Sequence, residues 1–431
     1  MRNINVIDAP CGYGKTSWAI QYMNEMHRDS HRFIYVTPFL DEVKRVKAAV
    51  LNRTFIEPES IRGLTKLEDL HRLLKQRSDI ATTHALFQMA NAETRKLIKD
   101  GGYTLILDEV MNVIEQIPLR KNDLDVLFNA GAIEYVEDKK GLKFIKWREE
   151  MIHSDNRYND LKQMALSGNL MYCNNSAVIW NLPCDLFYIF RDVFILTYLF
   201  KGQLQRYYYD LHGIHYRYLS VISKSGKYSL VPYQVRQIQD KTQLKQLIHI
   251  YSGHLNEVGH QRYALSTSWL ENPKNKDLIA TLRKNTYNFL TNICKANKET
   301  ALWTTVKGNN DKIKSKLQPR NFAGCFLPMT TRATNDYSQK YHLAYIINRF
   351  MNPIEKKFFE QYGVEVDQEA WALSELIQWV WRSRIRNRES ITIYIPSIRM
   401  RGLFERYLTT DSFEAFTDTA TIDQPASDWH V

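Results

Sequence analysis

The stretch Asn5-Val6-Ile7-Asp8-Ala9-Pro10-Cys11-Gly12-Tyr13-Gly14-Lys15-Thr16-Ser17-Trp18 carries the residue types that hold a phosphate chain. Two glycines free the loop backbone so that its amides can turn toward β- and γ-phosphates. A helix start favours negative charge, Lys15 adds a cation, and Thr16 offers a hydroxyl to Mg²⁺. Ala9 stands where the usual pattern has glycine and is small enough to sit there. Nucleotide binding through Gly12, Tyr13, Gly14, Lys15, Thr16 and Ser17 is therefore expected. Far downstream, Asp108-Glu109 follows the apolar run Leu105-Ile106-Leu107. Hydrolysing a phosphoanhydride needs one carboxylate for the metal and one group to orient or deprotonate the attacking water. Asp108 suits the first task and Glu109 the second. A second Asp-Glu pair, Asp41-Glu42, opens a helical pattern, and no nucleotide role is expected of it.

Such residues work only if strand ends deliver them to one place. Ile4, Val6 and Ile7 read as a buried strand, and Trp18, Ile20 and Met23 as the helix after the loop. Residues 1 to about 112 go on alternating short apolar runs with helical periodicity, as in a parallel sheet flanked by helices. Strands are expected at Phe33–Pro38, Asp79–His84 and Tyr103–Glu109, each with polar residues at its C-terminal end, where open α/β sheets bind ligands. From about 113 to 188 the character changes. Two alternating runs, 132–137 and 142–147, flank Asp138-Lys139-Lys140-Gly141 as a β-hairpin, and a helix near 158–167 follows. This reads as an insertion, because strand character resumes at Asp192–Thr197. A second hairpin spans 215–233, and a charged link lies near 235–245. From 246 to 408 strands (262–266, 300–305, 321–327, 391–395) again alternate with helices (275–297, 338–350, 370–386). The fold class expected is α/β, with two tandem parallel-sheet domains, 1–235 and 246–408, and an α+β insertion in the first.

Within 370–386, Leu373, Leu376, Ile377 and Val380 form an apolar stripe at helical spacing, and Gln378, Arg382 and Arg386 form a second stripe beside it. A helix packed by one stripe can present two planar, permanently charged guanidinium forks from the other, which suits a γ-phosphate across a cleft. A solvated basic face would look the same in sequence. Trp379 and Trp381 read as helix packing. Thr-rich strand ends recur at Thr37-Pro38, Thr82-Thr83, Thr304-Thr305 and Thr330-Thr331-Arg332, where hydroxyls and amides can grip sugar-phosphate oxygens without reading bases. His84 is expected in the core or a loop rather than as a metal ligand.

The 431 residues are 44% hydrophobic, enough for two cores, and carry a formal charge of +11, which fits a polyanionic partner. Five scattered cysteines without a C-x-x-C pattern argue against a disulfide framework or zinc and for a reducing compartment. No apolar run reaches membrane-spanning length and no signal peptide is apparent, so a soluble cytoplasmic protein without a membrane partner is expected. Residues 409–431 hold five acids and no Lys or Arg, the composition of a solvated tail.

Taken together, these segments resemble the superfamily 2 helicase-like ATPases, in particular compact helicases encoded by bacteriophages and prophages. Ala9–Thr16 is similar to motif I, Thr37-Pro38 to motif Ia, Thr83-His84-Ala85-Leu86-Phe87 to the threonine-containing motif after it, and Asp108-Glu109-Val110-Met111 to motif II. Leu196-Thr197-Tyr198 sits where motif III would couple the halves. Thr330–Asn335 resembles motif V, and Gln378–Arg386 motif VI. In the last, Trp381 replaces a glycine, and the second arginine falls at 384 or 386; the stripe favours Arg386. The resemblance spans roughly 1–115, 190–212 and 300–400. Only eight residues precede motif I, so the upstream glutamine element by which DEAD-box RNA helicases recognise adenine is not expected.

The resemblance implies two RecA-like domains with ATP and Mg²⁺ between them. Lys15, Thr16 and Asp108 would hold the metal-bound nucleotide, Glu109 the water, and Gln378, Arg382 and Arg386 would arrive from the second domain. Thr37, Pro38, Thr83, His84, Thr304, Thr305, Thr330, Thr331 and Arg332 would contact the nucleic acid, DNA before RNA. The host cytoplasm would be the setting if the chain is phage-encoded, and a replication protein could dock on the acidic tail or the insertion. The insertion hairpin, with Lys139, Lys140, Lys143, Lys146 and Arg148, could wedge or grip a duplex. Two other functions share motifs I and II: a duplex translocase of the packaging type, and an ATP-switched partner-binding module.

Overall fold

A computed structural model describes residues 4–61, 63–148, 158–173, 177–233, 241–308, 311–329 and 336–410. The acidic tail beyond 410, Thr330, Thr331 and Arg332, and part of the 235–245 link lie outside these residues.

The first half is built on an eight-stranded sheet. Its strands are β1 (Ile4–Asp8), β2 (Arg32–Thr37), β3 (Phe55–Ile56), β4 (Asp79–Thr83) and β5 (Tyr103–Asp108), followed after the insertion by the last three members. The insertion forms a sheet of its own from β6 (Ile114–Ile117), β7 (Ile133–Glu137), β8 (Lys143–Trp147), β9 (Leu170–Cys173) and β10 (Ala177–Asn181). The main sheet resumes with β11 (Val193–Thr197), β12 (Tyr216–Lys224) and β13 (Lys227–Pro232), giving the order β13-β12-β1-β11-β5-β2-β4-β3. All neighbours are parallel except the β12–β13 hairpin. Unbroken apolar runs such as Leu105-Ile106-Leu107 are fully buried, as strands covered on both faces must be. β1 lies between β11 and β12, and β11 separates it from β5. The phosphate-type loop after β1 and the acids at the end of β5 therefore open into one crevice at the C-terminal edge of the sheet.

The second half holds an all-parallel four-stranded sheet, β14 (Ile248–Ile250), β15 (Ala301–Thr304), β16 (His342–Tyr345) and β17 (Ile391–Tyr394), in the order β14-β17-β16-β15. Several local expectations fail here. Residues 338–350 contain a strand, not a helix, because a short apolar run such as Leu343–Ile347 has no period that separates the two. Residues 262–266 are turns, with Leu265 in the left-handed region (φ 65°) and Ser266 capping the helix Thr267–Glu271. Residues 321–327 form a 3₁₀ turn, with one bridge from Phe326 to Trp303.

One apolar core runs through both halves, from Ile4, Val6 and Leu105 to Leu343, Ile393 and Leu403. Polar stitches reinforce it. The Tyr207 hydroxyl donates to the Asp367 carbonyl (3.0 Å) and accepts from the Asp367 amide (3.1 Å), and Tyr198 and Tyr407 share a hydroxyl hydrogen bond of 2.7 Å. The insertion also touches the second half: Asn352 Nδ2 donates to Gln116 Oε1 at 2.9 Å, and the Lys143 amide to the Tyr362 hydroxyl at 3.4 Å. Its basic hairpin is partly occupied. Lys143 faces Glu137, Arg148 pairs with Glu134, and Lys140 Nζ donates to the His212 carbonyl.

Gly202 marks a close approach between the halves, since a Cβ there would lie 2.5 Å from the Ala370 carbonyl oxygen. Gly202→Val should destabilise the chain by about 1–3 kcal/mol through overpacking, read as a lower Tm, whereas Gly226→Ala at the open β12–β13 turn should cost less.

Candidate nucleotide site between the two halves

β1 delivers its chain into Ala9–Gly14, where Gly12 (φ 84°) and Gly14 (φ 88°) adopt left-handed conformations open to glycine. The helix Lys15–Glu25 begins at once, with Gly14 as its cap residue and no side chain bonded to its first amides. Those amides remain for an anion. Lys15 Nζ folds back onto the Ala9 and Pro10 carbonyls, at 2.5 and 3.0 Å. Asp8, just before the loop, accepts from the Leu199 and Phe200 amides (2.9 Å each) and so ties the loop's base to the turn after β11. Burial pushes its carboxyl up to about 6, against those two hydrogen bonds and Lys15.

A cleft of about 250 Å³ opens over this loop. Cys11, Gly12, Gly14, Lys15, Thr16 and Ser17 form one wall, Asp108 and Glu109 another, and Trp381, Arg382 and Arg386 from the second half close it. The expected meeting of the two halves is thus present in the structure. Tyr13 borders the neighbouring cavity instead.

The arginines reach the cleft by a different route from the one expected. The helix runs from Gln368 to Val380 and stops there; Ser383, extended and with its hydroxyl bonded to the Val380 carbonyl at 2.6 Å, turns the chain away. Arg386 then sits in the 3₁₀ turn Arg384–Asn387. A single Gln378–Arg382–Arg386 helical stripe does not exist. Gln378 is buried on the helix and does not border the cleft. Between the two candidates for the second arginine, Arg386 lines the cleft. Arg384 lies 3.7 Å over the Tyr341 ring and donates to the Ser390 carbonyl. Arg382 is 8% exposed, yet its Nε has no hydrogen-bond partner among the described residues. A buried guanidinium left this way calls for an anion. Burial, then Arg382 beside it, draws Arg386 below the ordinary guanidinium value.

Asp108 is buried and accepts a 2.5 Å hydrogen bond from Tyr35. Burial pushes its carboxyl up to about 6; the Tyr35 bond opposes the rise, and Glu109 and Glu42 add to it. Glu109 takes a left-handed backbone (φ 68°), costly for a residue with a side chain and the kind of strain that collects at functional sites. The residue set fits a magnesium-bound triphosphate: a hydroxyl at Thr16, a carboxylate at Asp108, the amides of the helix start, and the cations Lys15, Arg382 and Arg386. Among the described residues no cluster of three or more His, Cys, Asp or Glu could hold a metal by itself. That is consistent with an ion bound largely through phosphate and water.

Tyr35, Arg45 and Glu42 are additions that the sequence reading missed. Glu42, given no role there, lines the cleft and is bonded to Arg45 at 2.5 Å. A tyrosine inside an apolar strand gives no signal of its own until the register sets it near the acid.

Of the residues expected at nucleic acid, Thr37 and Thr83 are register partners on β2 and β4, with Pro38 and His84 directly after them. The Thr37 side chain is, however, fully buried. Thr304 and Thr305 are also buried; the Thr305 hydroxyl donates to the Ile346 carbonyl at 3.1 Å and so ties the second sheet together, while the Thr304 hydroxyl has no hydrogen-bond partner among the described residues. Unforeseen in sequence, a groove of about 900 Å³ follows β16, bordered by Tyr263, Phe350, Trp371, Arg349, Lys356 and Lys357.

Comparison with known proteins gives a relative that covers nearly the whole chain. The SPbeta prophage-derived uncharacterized protein YonV of Bacillus subtilis (strain 168) is 42% identical over 419 residues, 95% of this chain and 99% of that one. The chain belongs to the YonV family. The YonV C-terminal Rossmann-like domain profile matches residues 242–408 and the YonV middle domain profile residues 114–180, which fall on the second parallel sheet and on the inserted sheet. Among solved structures, S. tokodaii Xpd4 is similar at 12% identity over 94% of each chain, with a TM-score of 0.49. The DUF1998 helicase MrfA bound to DNA and AMPPNP is similar at 11% identity, over 95% of this chain and 49% of that one, with a TM-score of 0.32. No helix among the described residues of this YonV-family chain is long and apolar enough to cross a membrane.

Because the Tyr35 hydroxyl holds the Asp108 carboxyl down, Tyr35→Phe should raise it further. If Asp108 is the magnesium ligand proposed below, metal-dependent nucleotide binding should fall as pH drops through about 6 in the native chain, because the protonated acid cannot ligate the ion. In Tyr35→Phe that fall should begin at a higher pH, because the hydrogen bond that favours the carboxylate is gone. Titrating Mg²⁺-dependent binding from pH 5 to 8 checks both.

Proposed function

We propose that this chain is an ATPase that acts on nucleic acid, a helicase or translocase that couples hydrolysis between its halves to movement along a strand, DNA before RNA. The observation that carries the reading is the cleft itself, where Lys15, Thr16, Asp108 and Glu109 from one half face Arg382 and Arg386 from the other.

In this reading the Gly12–Ser17 backbone seats the phosphates and Lys15 exchanges the Ala9 and Pro10 carbonyls for phosphate oxygens. Thr16 and Asp108 would hold Mg²⁺, which would supply neutralisation of the phosphate charge. Glu109 orients the attacking water and takes its proton. Arg382 and Arg386 stabilise the charge that develops on the transferred phosphoryl group. The Tyr198–Tyr407 hydrogen bond and the Asp8 tether link the loop's surroundings to the second half, a path by which loss of the γ-phosphate can shift one half against the other. The +11 charge and the paired strand ends at Thr37 and Thr83 support a polyanion along the C-terminal edge of the first sheet, and the aromatic and basic groove after β16 supports one on the second.

The unbroken core between the halves favours a second reading, an ATP-switched module that holds a partner without travelling. Turnover assayed with and without single-stranded DNA and RNA separates the two: strand-stimulated hydrolysis supports the motor, and slow, unstimulated hydrolysis supports the switch. Displacement assays with 3′- and 5′-tailed duplexes then test unwinding.

Lys15→Ala should abolish nucleotide binding. Glu109→Gln should bind ATP yet lose roughly 10²–10⁴-fold in turnover, and full activity in that variant contradicts the mechanism. Arg382→Ala should cut turnover by about 10³-fold while ATP affinity stays nearly intact; the reverse pattern would remove Arg382 from the transition state.

A further inference from the structure

Beside the phosphate cleft lies a larger cavity of about 650 Å³, within the range of small-molecule sites. Gly12, Gly14 and Tyr228 border both spaces, so the two lie side by side along the loop. The rest of its wall comes from the β12–β13 hairpin, Ser220 to Ser223 with Val231 and Pro232, and from Tyr13 and Arg388.

Strand order says which part of a ligand belongs there. β11 and then β5, with Asp108, lie to one side of β1, and the β12–β13 hairpin lies to the other. A phosphate chain with its terminal phosphate at Asp108, Glu109 and Arg382 must send its opposite end toward the hairpin. Tyr228 is held in place for that end. Its amide donates to Gln21 Oε1 at 2.9 Å, while Gln21 Nε2 donates to the Tyr228 carbonyl at 3.1 Å. The amide side chain of the loop's own helix thus stitches the hairpin to the phosphate site. The Tyr228 ring also covers Gly14 so closely that a Cβ would fall 2.2 Å from it.

We propose that this cavity is the nucleoside subsite, and that it takes the base by aromatic and apolar contact with Tyr13, Tyr228 and Val231, with Arg388 at its rim. The inference rests on the triphosphate reading of the adjoining cleft. Among the described residues no Asn, Gln, Asp or Glu side chain lines the cavity. Without an amide or carboxylate to match a base edge, selection among bases is weak, because stacking tolerates every base.

The test uses the full chain with Glu109→Gln to block turnover, and compares affinities for ATP, GTP, CTP and UTP with that for inorganic tripolyphosphate. The four nucleotides should bind within about fivefold of one another and each roughly tenfold or more tighter than tripolyphosphate. Val231→Trp, which fills the cavity away from the loop, should remove that advantage and leave tripolyphosphate affinity unchanged; Tyr228→Leu should act in the same direction. Equal losses for ATP and tripolyphosphate, or none, in the Val231→Trp chain would overturn the assignment, and a preference above about 50-fold for one base would overturn weak selection. Tight tripolyphosphate binding with no nucleoside advantage sinks this subsite alone, whereas failure of the unsubstituted chain to bind any of the five ligands sinks the triphosphate reading as well.

Discussion

Positive charge gathered in one enclosed place is unfavourable unless something anionic lies within it, and the cleft is built around that fact. Lys15, Arg382 and Arg386 converge there and face Asp108 and Glu109 across the cleft. Asp108 is bonded to Tyr35 and Glu42 to Arg45. A loosely joined pair of domains would relieve such repulsion by drifting apart. Here the common core and the Gly202–Ala370 contact oppose drift, so the tension stays where a polyanion would release it.

The sheet explains why these groups meet. Two strand ends separated by one intervening strand bring a loop and an acid pair to the same edge. The second half adds its arginines through the connection that precedes β17, after a serine has ended the preceding helix. Small devices then set orientation: the Asp8 carboxylate on the turn after β11, the Gln21 amide on the hairpin, and the left-handed Glu109 backbone. None of these is a ligand contact in itself, and each decides where one points.

Much of this was legible in the sequence. Glycine spacing, a lysine–threonine pair and an acid pair behind an apolar run are short-range signals tied to backbone geometry, so the loop, Asp108 and Glu109 were placed correctly. The first sheet and its inserted antiparallel unit were also readable, because strand alternation and hairpin turns are local. The second half was less so. Leu343–Ile347 suits helix or strand equally, and only its neighbours in the sheet choose. The arginine stripe was inferred from an ideal helix that Ser383 interrupts; Arg382 and Arg386 line the cleft by another route, and Gln378 does not line it. Threonines at strand ends proved a poor guide to exposure, as Thr304 and Thr305 show. Tyr35, Glu42 and Tyr228 had no sequence signal at all, since their importance comes from register and long-range packing.

The placement of β1 also sets an order of events during synthesis. Both strands that flank it, β11 and β12, come from residues 193–224, on the far side of the inserted sheet. While the ribosome is still making the insertion, the first strand of the chain has no neighbour to pair with, and β5 lacks one of its two. The nascent molecule therefore carries unsatisfied strand edges for a long interval, the condition under which chaperones are most needed. Competence to bind a ligand would come later still, once β11 and then the second half with Arg382 and Arg386 have been made, rather than with the loop that appears first.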